Sequence, residues 1–279
     1  MKRDKLSTRQ VAQYNRDGYL ILKGFLNPDE VEKLYQAGVE DSAINKHAFN
    51  VDDSSGKRSK LSLWYKPGDD VFGLLTRSQT MVEIVDQVLE GDAPVCHFHS
   101  KLMQKEPEVG GAWEWHQDYG YWYKNEFLYP GQMMSVMVAI TEANKSNGCL
   151  QVIKGSHKMG RVEHGFSGEQ VGASQRFVDL ALQNLELEYV ELEAGDILLF
   201  HSNVLHSSSA NLSDRPRWSL ISVYNRASNV GYSDSAPSPT SSVTPINVVP
   251  NEALLTWETA NLKVESSDFL KKDDDVALK

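Results

Sequence analysis

His116, Gln117 and Asp118 stand together in the chain, and His206 follows ninety residues after the first of them. Two imidazoles and one carboxylate can occupy one triangular face of an octahedral metal and leave the opposite face open, which is the ligand set of non-haem Fe(II) oxygenases. The H-x-D spacing adds geometry. In an extended strand residues i and i+2 project to the same side, so His116 and Asp118 can bind one ion while Gln117 faces away. A lone pair of this kind also occurs on strand edges without a metal, so the third ligand has to come from a distant strand that folds back beside the first.

Six further histidines, at 47, 97, 99, 157, 164 and 201, compete for that role. His97 and His99 form an i, i+2 pair that with His116 would suit a zinc hydrolase. Gly195 to His201 reads as a buried strand entered through a turn, and it leaves both His201 and His206 near its end.

The elements that must position these residues change character along the chain. Ser7-Thr8-Arg9-Gln10 has the spacing of a capping box and Gly18 closes a helix over about 8–16. Tyr19 to Leu22 reads as a buried strand. Asn27-Pro28-Asp29-Glu30 supplies an N-cap, a proline at the first helical position and acids in the first turn. Residues 43–70 read as polar and irregular, and Ser78 starts a helix carrying Met81, Val82, Val85, Val88 and Leu89.

From Ala93 the signal becomes strand-like, with strands expected at 95–105, 133–140, 149–153, 187–192, 196–201 and 217–225. No helix alternates with them, which favours a mainly β sandwich or jelly roll with flanking helices over a parallel α/β sheet. One domain is expected, with a helical N-terminal elaboration over 1–92, a β core over 93–226 and a loop and C-terminal extension over 227–279. Ser233 to Pro250 reads as a long loop, and residues after about Ser266 read as frayed.

The chain has 279 residues and a formal charge of −10, which disfavours non-specific attraction to nucleic acid or anionic membrane. Two cysteines, Cys96 and Cys149, give no disulfide framework, and there is neither a signal-peptide pattern nor an apolar run of membrane-spanning length. A cytoplasmic protein acting on a small molecule is expected. Nothing in the sequence specifies an oligomeric state.

Trp115-His116-Gln117-Asp118, Asn147-Gly148-Cys149-Leu150, Gly155-Ser156-His157, Gly195-Asp196 and Phe200 to Arg217 together resemble the phytanoyl-CoA dioxygenase family, which includes ectoine hydroxylase-like enzymes. The resemblance implies a double-stranded β-helix (jelly roll, cupin-like) that uses Fe(II), 2-oxoglutarate and O2, with His116, Asp118 and His206 on the metal. It also places the arginine for the distal carboxylate of 2-oxoglutarate eleven residues after the second histidine, at Arg217. A planar guanidinium gives a carboxylate two parallel donors. Ser219, two residues on, can add a hydroxyl, and Ser208, Lys105 and Lys101 are further cosubstrate candidates. Trp122, Tyr119 and His99 are the residues expected in the substrate pocket. The implied reaction is hydroxylation with release of succinate and CO2, and retention of Asp118 argues against halogen transfer. The competing readings are a non-catalytic cupin-like metal or ligand binder, which leaves Arg217 and Ser219 without a role, and the zinc hydrolase using His97, His99 and His116.

Overall fold

The computed structural model describes residues 4–167, 170–231, 239–256 and 268–270. Fourteen strands are present among them: β1 (Tyr19–Leu22), β2 (Phe49–Asp52), β3 (Arg58–Trp64), β4 (Val95–Lys105), β5 (Trp113–His116), β6 (Met133–Ala139), β7 (Leu150–Ile153), β8 (His164–Ser167), β9 (Gln170–Ala173), β10 (Leu187–Val190), β11 (Ile197–His201), β12 (His206–Ser208), β13 (Arg217–Arg226) and β14 (Thr244–Pro245). The large sheet runs β1-β11-β6-β13-β4-β3-β2, with β14 on β4, and the small sheet runs β10-β7-β12-β5. Every pairing in both is antiparallel. The expected jelly-roll architecture with flanking helices is what the chain forms.

Period-two alternation decides which face of the large sheet meets what. On β6, Val136 and Val138 join Leu102, Leu199 and Leu220 against helical residues such as Leu34, Met81, Ile84 and Val85. Met137 and Ala139 point the other way, toward Leu150, Val152 and Phe200 between the sheets. Covered on both faces, β6 is buried at every position. Helices α1 (Thr8–Asp17) and α2 (Pro28–Glu40) begin at complete capping boxes on Ser7 and Asn27, and Gly18 closes α1 at φ 82°. Among the described residues no helix is long and apolar enough to cross a membrane.

Two sequence expectations give way. Residues 43–70 are not irregular: α3 (Ser42–His47), β2 and β3 lie there, and β3 pairs with β4 through Lys60↔Gln104 to Trp64↔Ser100. The polar residues of this stretch hid an alternation in which Leu61, Leu63 and Tyr65 face one way. The expected fraying after Ser266 does not hold for the described part, because Phe269 is 3% exposed and bridges Trp64. Residues 232, 257–267 and 271–279, like 233–238 of the expected Ser233–Pro250 loop, lie outside the described residues.

Candidate metal centre and its two cavities

Strand register brings the histidines together. β12 lies between β7 and β5, and His206 sits directly opposite His116 with the ring centroids 4.1 Å apart. Asp118 Oδ1 is 3.8 Å from Nε2 of each imidazole. These three residues, all buried, are the one cluster of metal-ligand type among the described residues. Gln117 keeps an extended backbone (φ −108°, ψ 135°), so the i, i+2 rule holds across it, but Asp118 begins a helical turn, α6 (Asp118–Trp122), where continued strand was expected.

Backbone carbonyls fix the imidazole tautomers. His116 Nδ1 lies 2.7 Å from Glu114 O and His206 Nδ1 lies 2.9 Å from Val204 O. A carbonyl can only accept, so each Nδ1 carries the proton and each Nε2 presents its lone pair to the space beside Asp118. Burial, with His206 alongside, holds His116 well below the ordinary histidine range, and burial also lowers His206. For Asp118, burial works upward but is outweighed by His206, Lys101, His116 and the Ser135 hydroxyl, which keep the carboxyl below its usual range. The cluster therefore offers two neutral nitrogens and one anionic oxygen at neutral pH, the donor set a divalent first-row cation takes.

The remaining histidines are engaged elsewhere. His164 Nδ1 donates to Val162 O, and its Nε2 accepts from the Gln117 N–H. His201 Nδ1 accepts from the Asn203 N–H, and its ring lies against His157, so it does not replace His206. His97 Nε2 is 2.9 Å from Ser100 Oγ. The set His97, His99 and His116 is thus not assembled into a zinc site.

Two cavities meet at the centre, sharing Lys101, Trp113 and His116 on their walls. The smaller, about 420 Å³, runs between the sheets past Met137 and Phe200 to His206, Ser208 and Arg217. Arg217 is 3% exposed and has no hydrogen-bond or ion-pair partner among the described residues. Burial lowers its pKa to about 10, which still leaves it cationic. Ser219 Oγ, on the same strand face, is buried without a partner. A buried unpaired guanidinium is costly, and here it borders a cavity that leads to the metal ligands. Lys105 is not on that wall: its buried ammonium donates to Ser208 Oγ at 2.7 Å and Ser209 O at 2.6 Å, behind the serine it was expected to join.

The larger cavity, about 850 Å³, is lined by Trp122 and His99 among others. Tyr119 is not on its wall, because the helical turn of α6 points it into the protein, where its hydroxyl donates to Phe127 O at 2.7 Å. Tyr121 takes the place at the wall, its hydroxyl donating to Val171 O at 2.7 Å. A β-bulge supplies Trp113: two steps along β12 (His206 to Ser208) match three along β5 (His116 to Trp113), which turns Trp113 inward beside His116. Sequence reasoning missed Leu61, Leu63 and Gln170 on this wall, and Ser135 at the metal ligand. For the leucines the signal was their own alternation; for Ser135 and Gln170, partners distant in sequence left no local mark.

The sequence matches the phytanoyl-CoA dioxygenase family over residues 14–219, and the chain belongs to that family. It is 27% identical over 236 residues to the L-proline trans-4-hydroxylase of Streptomyces griseoviridis, covering 78% of this chain and 86% of the relative. It is 26% identical over 257 residues to the ectoine dioxygenase of Nocardia farcinica, covering 85% and 84%. Among solved structures, EctD from S. alaskensis with 2-oxoglutarate and 5-hydroxyectoine superposes with a TM-score of 0.69 at 21% identity over 90% of each chain. Family membership makes the chain an enzyme of the dioxygenase class, as the sequence motifs implied.

Proposed function

We propose that the chain is an Fe(II)- and 2-oxoglutarate-dependent dioxygenase that hydroxylates a small molecule, with succinate and CO2 as co-products. The observation that carries this reading is the unpaired, buried Arg217 at the end of a cavity that opens from the His116, Asp118 and His206 cluster. A protein that held only a metal would gain nothing from such a cation, whereas a dicarboxylate reaching the metal at one end needs it at the other.

In this assignment His116, Asp118 and His206 hold the iron. Iron with the keto acid supplies oxygen activation driven by oxidative decarboxylation. Arg217 binds and orients the distal carboxylate, and Ser219 and Ser208 border it with hydroxyls. Lys105 donates to Ser208 Oγ, which leaves the serine's own O–H free to turn toward the cavity. Phe200, Met137 and Leu150 exclude water from the aliphatic part of the cosubstrate. The substrate occupies the larger cavity, with Trp122 and His99 on its wall. Residues 93–226 hold the catalytic core, and the two free, buried cysteines suit the cytoplasm.

Anaerobic addition of 2-oxoglutarate to the Fe(II) protein tests this reading: a visible charge-transfer band is expected for the wild type and none for Asp118→Ala. No band in the wild type, or an undiminished one in Arg217→Ala at limiting 2-oxoglutarate, would sink it.

A further inference from the structure

The larger cavity has a charge pattern that selects among substrates. Of its described lining residues, the one carboxylate is Asp118, already committed to the metal cluster, and the one formal cation is Lys101. Lys101 has no hydrogen-bond or ion-pair partner among the described residues. His99 lies two residues before it on β4, on the same strand face and roughly 6.6 Å away along the strand. Its ring touches Tyr65, Phe98 and Trp122, and its nitrogens also have no partner among the described residues. Burial, with the Lys101 ammonium next, holds His99 well below the ordinary range, so it is a neutral imidazole with one N–H and one lone pair.

Of the other polar groups on the wall, the Asn125 amide has no side-chain hydrogen bond among the described residues and Trp113 Nε1 is buried without a partner, whereas Gln170 and Tyr121 are used by the fold. The Gln170 amide accepts from the Glu114 N–H at 2.9 Å and donates to Ala112 O and Asp52 O, and the Tyr121 hydroxyl is held by Val171 O. The rest of the surface is chiefly Leu61, Leu63, Phe98, Trp113, Trp122 and Leu270. A chiefly apolar chamber with one formal cation, neutral polar groups at His99, Asn125 and Trp113 and no spare anion favours a ligand of matching pattern.

We infer that the substrate is a carboxylic acid with an apolar ring- or chain-bearing body and no cationic group, its carboxylate held by Lys101 with His99 beside it. The inference rests on the oxygenase reading, which makes this cavity the substrate's. It separates the chain from a hydroxylase of free proline, because the ammonium of an amino acid would meet no carboxylate here and would share the cavity with Lys101. The aromatic faces could hold a cation by themselves, but the same lysine opposes it.

The test measures binding of 3-phenylpropanoate, 3-phenylpropanamide, 3-phenylpropylamine and phenylalanine to the anaerobic protein with Fe(II) and 2-oxoglutarate, by calorimetry and by quenching of the Trp113 and Trp122 fluorescence. The acid is expected to bind about tenfold or more tighter than the amide, with the amine and phenylalanine weaker still. In Lys101→Met the advantage of the acid over the amide disappears, and in Lys101→Arg it persists. Equal binding of the amine or phenylalanine, binding of none of the four, or loss of 2-oxoglutarate affinity instead of acid affinity in Lys101→Met would overturn the inference. The fluorescence comparison can also be read without metal, so failure of the oxygenase reading would show separately, as absence of the charge-transfer band.

Discussion

Ser135 Oγ donates a 2.7 Å hydrogen bond to Asp118 Oδ2, the carboxylate oxygen other than the one that lies 3.8 Å from both His116 and His206. The bond is buried and links β6 of the large sheet to the turn that follows β5 of the small one. By occupying Oδ2 it leaves Oδ1 as the carboxylate oxygen that would hold the metal beside the two imidazoles. Ser135→Ala is expected to weaken Fe(II) binding roughly 10–100-fold, as losses of hydrogen bonds behind metal ligands do. Competition against a chelating dye measures this, and an unchanged affinity would show that Asp118 is held by the imidazoles alone.

Arg217 costs the ligand-free fold and serves the liganded one. Its guanidinium is buried without a partner, so Arg217→Met is expected to make the free protein more stable by about 1–3 kcal/mol. The same variant should lose the rise in Tm that 2-oxoglutarate gives the wild type, since stabilisation by a ligand requires binding to the native state. Thermal melts with and without 2-oxoglutarate check both parts. A destabilised variant that still responds to 2-oxoglutarate would contradict both.

Asp70 gives the fold a pH dependence remote from the metal. It caps α4 (Val71–Thr76) by accepting from the Phe72 and Gly73 N–H groups through Oδ1, while Oδ2 is buried without a partner. Burial is the dominant effect and raises its pKa from 3.8 to about 6 against the pull of those donors. A raised carboxyl favours the fold while protonated, so its contribution is full below the unfolded value and is lost as pH rises through the folded one. Asp70→Asn keeps the cap and removes this titration. The wild type minus variant difference in unfolding free energy should therefore fall by about 2–3 kcal/mol between pH 3.5 and pH 7. Denaturant titrations across that range measure it, and a flat difference would mean that the folded-state pKa is ordinary.

What was legible in the sequence was whatever is encoded by local period and local spacing. The caps on Ser7 and Asn27 depend on residues three apart and formed as read. His201 and His206 both lie near the end of one strand segment, and the family resemblance, through the spacing to Arg217, singled out His206, which stands opposite His116. Tyr119 was expected in the pocket, but the chain turns helical at Asp118, and the helical turn takes Tyr119 off the wall while Tyr121 stands on it. Lys105 was a cosubstrate candidate through the family resemblance. Only the opposing β12 segment shows that Ser208 stands between it and the cavity. Phe269 lay in a charged tail, and its ring stacks on His47 at 4.3 Å, a contact that no local pattern could announce.

Gln117, the residue that separates the two ligands of the H-x-D segment, faces away from the metal and is fully buried. Its Nε2 donates to Gly160 O at 2.7 Å and to Asn203 O at 2.8 Å, and its Oε1 accepts from the Val162 N–H at 2.8 Å. One amide thereby ties the strand end that bears His116 and Asp118 to the loop that leads into His206. Leucine at this position would fill much of the volume but leave three backbone groups unpaired, and the two at buried residues, Val162 and Asn203, would each cost roughly 1–3 kcal/mol. Gln117→Leu is expected to lose about 3 kcal/mol or more of stability. Because the two ligand-bearing segments are then joined chiefly by the short β5·β12 ladder, it should also bind Fe(II) more weakly under conditions where it remains folded. Gln117→Glu separates the contributions: one carboxylate oxygen can still accept from Val162, while the other faces two carbonyls. Its stability should recover as the pH is lowered enough to protonate the side chain, which then donates to one of them. Urea unfolding of both variants at pH 5 and pH 7.5, with Fe(II) affinity measured on the folded fraction, tests the assignment, and wild-type stability in Gln117→Leu would refute it.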